Sequence, residues 1–334
     1  MTPDFSIVAD GHDITPHIAT RLVRGRITDE AGVESDQCSL TLDDRGNVLA
    51  WPAKGAKLTV SLGYKETGLH KMGDYVVDEV EYSEPPAQFV IRAKAADYAN
   101  AYLKTQKTRS WPKNTTIGQL VTKIASEYKL KARVSPSLAS VQLPTTHQTE
   151  ESDLHLLTRI AREFDAIAKP AAGHLLFVKK GQSVDAAGRP LPTVQVTKSG
   201  KTSVRVIEAD RDRYRSVLAY FHDPNSGRRV PVRFDIGEPT FTLRYNYANR
   251  DQAFAAARAK RHALDRNAKQ LNVSMPGDAL AVAESPLKVS GFREGVNGDW
   301  VASGVYHDFS RQGFNTTIKA DPRLTRSKQG GTTK

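Results

Sequence analysis

The chain has 334 residues, 39% of them hydrophobic and 25% charged, ordinary values for a globular protein long enough to hold two or three domains. No run of eighteen apolar residues occurs, and the N-terminus lacks a basic stretch followed by an apolar one, so neither membrane spanning nor the general secretory route is expected, and cytoplasmic synthesis fits. Cys38 is the single cysteine, which excludes an internal disulfide and a cysteine-based zinc site, while a net charge of +11 is compatible with nucleic acid, an anionic surface or an acidic protein partner.

From Phe5 to Lys94 the chain reads as short alternating runs broken by Gly, Pro and Asp: "QCSLTLDD" (37–44), "KLTVSLGY" (57–64), "GDYVVDEVEYS" (73–83) and "QFVIRAKA" (88–95). In "KLTVSLGY", Leu58, Val60 and Leu62 recur at period two and so share one face of a strand. Short, closely spaced strands of this kind predict a compact antiparallel barrel or sandwich.

The period then changes. Thr116 and Gln119 stand in capping-box spacing, and Ile117, Leu120, Val121, Ile124 and Tyr128 fall on one helical face. Thirty-six positions on, "LLTRIAREF" (156–164) matches "LVTKIASEY" (120–128) in residue type, which predicts two helices with similar packing roles in one small α/β unit. "VSPSLASVQLPTTHQ" between them reads as loop and strand, and "AIAKPAAGHLLFVKKG" after them as a hairpin turning near Gly173. "DAAGRPLPTVQVTKSGK" (185–201) is the best linker. Beyond it come strands around the turn "DPNSG" (223–227), then a helix capped by Asn249 or Asp251. The apolar stripe expected on that helix is Ala253, Ala257, Leu264, Ala268 and Leu271. Further strands and tight turns close the chain, so the second half repeats the β-rich character of the first.

The chain thereby divides into β units at 1–95 and 186–322, an α/β unit with two amphipathic helices at 96–185, and a polar basic tail at 323–334 expected to be disordered. The fold class is α+β, and the second β unit carries one long helix at about 250–271.

The stretch "HQTEESDLHLLTRIAREF" (147–164) holds two histidines and four carboxylates. Ser152 is placed to cap a helix, and Glu150, Glu151 and Asp153 complement the positive end of its dipole. That accounts for the acids without catalysis. His147 and His155 do not form the H-E-x-x-H arrangement that sets two metal ligands one turn apart. His222 beside Asp223 and His307 beside Asp308 are strand neighbours that point to opposite faces, so they are poor catalytic pairs. There is no G-x-S-x-G elbow and no phosphate-binding loop. No catalytic, cofactor-binding or metal-binding residue is assigned, no cofactor is expected, and interaction residues stay unassigned. The basic residues are spread ("RLVRGR" at 21–26, "KTQKTR" at 104–109, "RDRYR" at 211–215, "ARAKRH" at 257–262), and no DNA- or RNA-binding signature accompanies them, which argues against direct nucleic-acid binding. In "VSGFREGVNGDWVASGVYHDF" (289–309), Gly291, Gly295 and Gly298 suit tight turns, and Trp300 is expected to be buried.

The order and spacing of four segments resemble the late control D proteins of P2-like phages, the baseplate hubs of contractile tails, and their relatives in R-type pyocins. The segments are "GYKETGLHKMGDYVVDEVEYSEPPAQFVIRAKAADY", "RSWPKNTTIGQLVTKIASEY", "HQTEESDLHLLTRIAREF" and "MPGDALAVAESPLKVSGFREGVNGDWVASGVYHDFSRQGFNTTIKAD". The resemblance implies two related, tail-tube-like antiparallel barrels with a peripheral α/β domain between them, as in the spike hubs of type VI secretion. It implies a non-enzymatic homotrimer whose partners are a trimeric membrane-piercing spike, the hexameric tail tube and other baseplate proteins. The spike is expected to be a separate chain, and the hub to be assembled into the baseplate of a phage tail or a headless tailocin, with no membrane insertion of its own. The rival reading is a peptidoglycan hydrolase at the tail tip, which would need a pair of carboxylates in a cleft; a basic nucleic-acid-binding module is the other.

Overall fold

The computed structural model describes residues 1–32, 36–95, 101–171, 173–185, 188–210, 214–224 and 226–323. The expected tail from 324 onward, the start of the α/β unit at 96–100, part of "RDRYR", the tip of "DPNSG" and two residues of the expected linker lie outside the described residues.

The first region runs β1 (Pro3–Ala9), β2 (His12–Asp13), α1 (Thr15–Ile18), β3 (Leu22–Glu30), β4 (Gln37–Asp43), β5 (Lys57–Tyr64), β6 (Gly68–Ser83) and β7 (Gln88–Ala95). All its pairings are antiparallel, in the order β3-β4-β7-β6-β5-β1-β2. Leu58, Val60 and Leu62 are all buried, as their alternation requires. They pack with Phe5, Ile7, Leu40, Tyr75 and Ile91 in one core.

The middle region runs β8 (Gln106–Trp111), α2 (Ile117–Glu127), β9 (Lys131–Val134), α3 (Pro136–Ala139), β10 (Thr146–Ser152), α4 (Asp153–Glu163), β11 (Ala166–Ala171) and β12 (His174–Lys179). The 36-residue repeat is structural. Thr116 caps α2 with a complete capping box, Ser152 caps α4, and each helix is left through a residue of positive φ, Lys129 (57°) and Asp165 (54°). Strands β8 and β10 pair with each other, while β9 and β11 flank β12, so both copies share one core built on Leu120, Ile124, Leu156 and Ile160. The β11–β12 hairpin turns at Gly173, where φ is +76°.

The third region runs β13 (Val194–Thr197), β14 (Ser203–Glu208), β15 (Ser216–Asp223), β16 (Arg228–Phe234), β17 (Thr240–Tyr247), α5 (Arg250–Ala268), β18 (Lys269–Pro276), β19 (Pro286–Ser290), β20 (Gly298–Ser310) and β21 (Gly313–Pro322). Two sequence expectations change here. The linker ends before residue 194: Val194 and Val196 alternate into the core and β13 pairs with β19. The long helix stops at Ala268, and Lys269 is fully extended (φ −144°), so Leu271 is a β18 core residue rather than part of the helical stripe. Asn249 is the observed cap. Between β14 and β18 the chain leaves the main sheet to form β16-β15-β17, covered by α5 through Ala253, Ala257 and Leu264.

The two β-rich regions share a detailed pattern. The order β3-β4-β7-β6-β5 recurs as β14-β18-β21-β20-β19. Laid over one another, the pairings Leu40↔Ile91 and Val273↔Ile318 coincide, as do Gly25↔Leu40 with Val204↔Val273, and Leu58↔Tyr75 with Leu287↔Trp300. Even the bulges coincide, one between Val77 and Glu79 in β6 and one between Ala302 and Gly304 in β20. The described pairings are continuous across the two halves: β3 bonds to β20 and joins both into one thirteen-stranded sheet, with β19 and β13 branching from β20. Each half keeps a core of its own. Across the joint, a Cβ on Gly25 would stand 2.2 Å from the Phe309 ring, so only glycine lets β3 lie this close.

Candidate functional site

The histidine- and acid-rich stretch does not converge on a site. His147 Nδ1 lies 2.9 Å from Ser110 Oγ, and His155 Nδ1 lies 2.6 Å from Glu151 Oε1, so the two rings serve different partners. Among the described residues no group of three potential ligands could hold a metal ion. Ser152 caps the helix as its position predicts, accepting from His155 N at 3.2 Å. Asp153 differs from the expectation of a surface cap acid: it is fully buried. It stands where the first copy of the repeat has Ile117, and four donors make that apolar position tolerable for a carboxylate. Lys107 (2.7 Å), Arg109 (2.6 Å), the Tyr128 hydroxyl (2.6 Å) and Gln148 Nε2 (2.8 Å) all donate to it. Burial pushes its pKa up, and the bonds from Lys107, Tyr128 and Gln148 outweigh that and hold it below the usual carboxylate range.

The His–Asp dipeptide at 307–308 is split by the pleat as expected. His307 points inward to Thr316 Oγ1 (3.0 Å) and the Ala281 carbonyl (3.1 Å), and burial lowers its pKa. Asp308 points outward and accepts from Arg26 (2.9 Å) and Arg24 (2.8 Å), tying β20 to β3 beside the Gly25–Phe309 contact.

A second group of charges lies where all three regions meet. Lys169 on β11 reaches Asp36 (3.1 Å), Asp29 (3.4 Å) and the Glu30 carbonyl (3.1 Å), and Asp29 also accepts from Ala283 N at 2.8 Å. One ammonium from the middle region is thus clamped onto the first region at the point where the third one touches it. Burial and the neighbouring Asp29 carboxylate push Asp36 up to about 7. Burial also presses Asp29 upward, but Lys169 and the Ala283 N–H more than offset it. Nearby, Arg266 of α5 and His262 bind Asp165 at the exit of α4, and Glu284 accepts from Gly181 N at 2.6 Å. Burial pushes Glu284 up to about 7 as well. The Asp29–Asp36 pair is the kind of juxtaposition a hydrolase would use, but an ammonium bridges it, and its geometry is that of a clamp. Sequence reading missed these residues because the partners lie more than a hundred positions apart with no shared motif.

The neighbouring Glu284 gives a pH prediction. A carboxyl whose folded pKa exceeds its ordinary value binds its proton more tightly in the folded state, so its contribution to stability is largest in acid and is lost as pH rises through about 7. Glu284→Gln keeps the acceptor for Gly181 and removes the charge. The variant is expected to gain stability over the wild type between about pH 5 and about pH 8, read from denaturant midpoints. A gap that stays constant across that range would show that Glu284 is not strained by burial.

Two strand edges complete the picture. The outer edge of β14 has no strand partner among the described residues, and neither has β6 beyond its bulge on the side facing β5. Unpaired edges of this kind are sites of sheet extension.

Comparison with known proteins matches residues 36–313 to the family model described as the phage tail baseplate hub (GPD). The chain is 34% identical to the probable baseplate hub protein of Escherichia phage P2, covering 97% of this chain and 94% of that protein. It is 31% identical to the probable baseplate hub protein of Escherichia phage 186, with the same coverage. Among solved structures, the 43 kDa tail protein of prophage MuSo2 from Shewanella oneidensis superposes with a TM-score of 0.71 over 96% of this chain and 98% of that one, at 13% identity, a likeness of fold.

Proposed function

The chain belongs to the phage tail baseplate hub (GPD) family, and from that premise we propose that three copies form a ring that adapts the sixfold tail tube to a threefold spike. The duplicated five-strand pattern supports this reading: one chain carries two equivalent β units, so three chains present six. In this reading residues 1–95 and 186–322 are the two tube-like units and 96–185 the peripheral domain. Lys169, Asp29 and Asp36 hold that domain on the joint, so the two units keep a fixed relation while the ring is loaded.

The hub is synthesised in the host cytoplasm, is built into the baseplate of the particle, and works without catalysis: its task is to match symmetries. Its partners are a trimeric spike on one face and the tube on the other. Light scattering after size exclusion of the protein co-expressed with the spike chain from its gene cluster is expected to give three copies of each. A monomer that ignores the spike would overturn the reading.

A further inference from the structure

The joint between the two halves is a template for a contact the single chain does not make. In β20, the segment before the bulge pairs with β19, and the segment after it, Gly304–Phe309, pairs with β3 through Gly304↔Glu30, Tyr306↔Thr28, Asp308↔Arg26 and Phe309↔Gly25. The matching strand β6 pairs with β5 before its bulge, and after it has no strand on that side among the described residues. The backbone bonds that precede the bulge are also the same. Val77 N donates to the Ala56 carbonyl and Gly55 N to the Val77 carbonyl, just as Ala302 N donates to Ser285 and Glu284 N to Ala302. The counterpart of β3 is β14, whose outer edge has no strand partner among the described residues. One molecule therefore carries both halves of a second joint, one on β14 at the end of its sheet and one on the post-bulge segment of β6.

We propose that β14 of one subunit pairs antiparallel with the post-bulge segment of β6 in the next, in the register Glu81↔Ile207, Tyr82↔Val206 and Ser83↔Arg205, and that this contact closes the ring. The proposal rests on the trimeric reading above and adds the strands and the register. The register follows from superposing the internal joint: Thr28 corresponds to Ile207, Ile27 to Val206 and Arg26 to Arg205, while Tyr306, His307 and Asp308 correspond to Glu81, Tyr82 and Ser83.

The backbone is poised for it. Ala209 N bonds inward to the Ala268 carbonyl, so by strand alternation the N–H groups of Val204, Val206 and Glu208 point to the open edge. Side chains fit as well. Val204 and Val206 are half-buried and pack against the second core, and Tyr82 is half-buried against the first, so the contact would finish burying both edges. On the outer face Arg205 would meet Ser83 with Glu81 at the diagonal, an opposite-charge arrangement like that of Arg26 and Asp308. Such a head-to-tail contact generates a closed ring once its rotation matches the internal one.

Directly opposed residues on an antiparallel pair have Cβ atoms near disulfide range, whereas residues four positions off register do not. Ser83→Cys with Arg205→Cys, and separately Glu81→Cys with Ile207→Cys, should oxidise in the hub–spike complex to covalent dimers and trimers, at least about tenfold faster than Glu79→Cys with Arg205→Cys. The native Cys38 does not interfere, since it is buried and burial pushes its thiol up to about 12. Trimers by mass in which neither matched pair cross-links, or in which the offset pair cross-links as fast, would overturn this pairing and leave the trimeric reading intact. Monomers by mass would overturn both.

Discussion

Replacing Asp153 with alanine is expected to destabilise the middle region by about 3–5 kcal/mol, the cost of removing one partner from a buried ion pair. The carboxylate is fully buried and accepts four hydrogen bonds, two of them from cations. Glu127 also binds Lys107 (2.8 Å) and Arg109 (2.7 Å), so each cation keeps one carboxylate, but the bonds that Gln148 and Tyr128 make to Asp153 are lost inside the fold. Amide exchange reads the effect locally: protection of α2 and α4 should fall about a hundredfold or more, while β18–β21 keep theirs. The loss should fade in acid. Asp153 has a lowered folded pKa, so its contribution is present above the ordinary value of 3.8 and disappears as pH falls through the folded one. Because Ile117 occupies the matching position in the other copy, Asp153→Ile combined with Lys107→Met and Arg109→Met should recover much of the stability. Unchanged protection in the alanine variant would mean that the charges merely decorate the helix start.

Asp153 also shows where sequence reading stops. Both caps and the apolar faces of α2 and α4 were legible because each depends on spacings within one helical turn, and the repeat because it copies that local pattern. The alternation of Leu58, Val60 and Leu62 was legible for the same reason. That a carboxylate fills a core position was not, since its two cationic donors come from a strand some forty residues earlier. The end of the long helix was misplaced because Ala268 and Leu271 continue the helical spacing while Leu271, Val273 and Met275 already alternate, and only the extended Lys269 decides between the periods.

The likeness of the two β units in strand order and register was hidden more deeply. The segment between β3 and β4 is 31–36, but between β14 and β18 it is 209–268, and this second segment holds a sheet and a helix of its own. No fixed period survives such an insertion. What survives is the hydrogen-bond register and the bulge, which are properties of the backbone rather than of residue identity. The charged clamp was illegible for a related reason: Lys169, Asp29 and Asp36 are individually ordinary surface residue types, made significant by the packing of one region on another.

Trp300→Ala should be the most damaging single change in the second β unit, costing about 3–5 kcal/mol through lost burial and an unfilled cavity. The ring is 4% exposed among Val196, Leu271, Leu287 and Ala320, and its Nε1 donates to the Val296 carbonyl at 3.0 Å. Its counterpart in the first unit is Tyr75, equally buried, so Trp300→Tyr should cost clearly less than the alanine change. The damage should not stay local. Trp300 sits at one end of β20, and Phe309, at the other end of the same strand, belongs to the first core and covers Gly25. A strand held at both ends by different cores transmits the loss of either anchor, so amide protection should fall in β3 as well as in β18–β21. Denaturation unchanged from wild type would place Trp300 at an interface. A loss confined to β18–β21 would show that the Arg24, Arg26 and Asp308 bonds hold the joint without help from the second core.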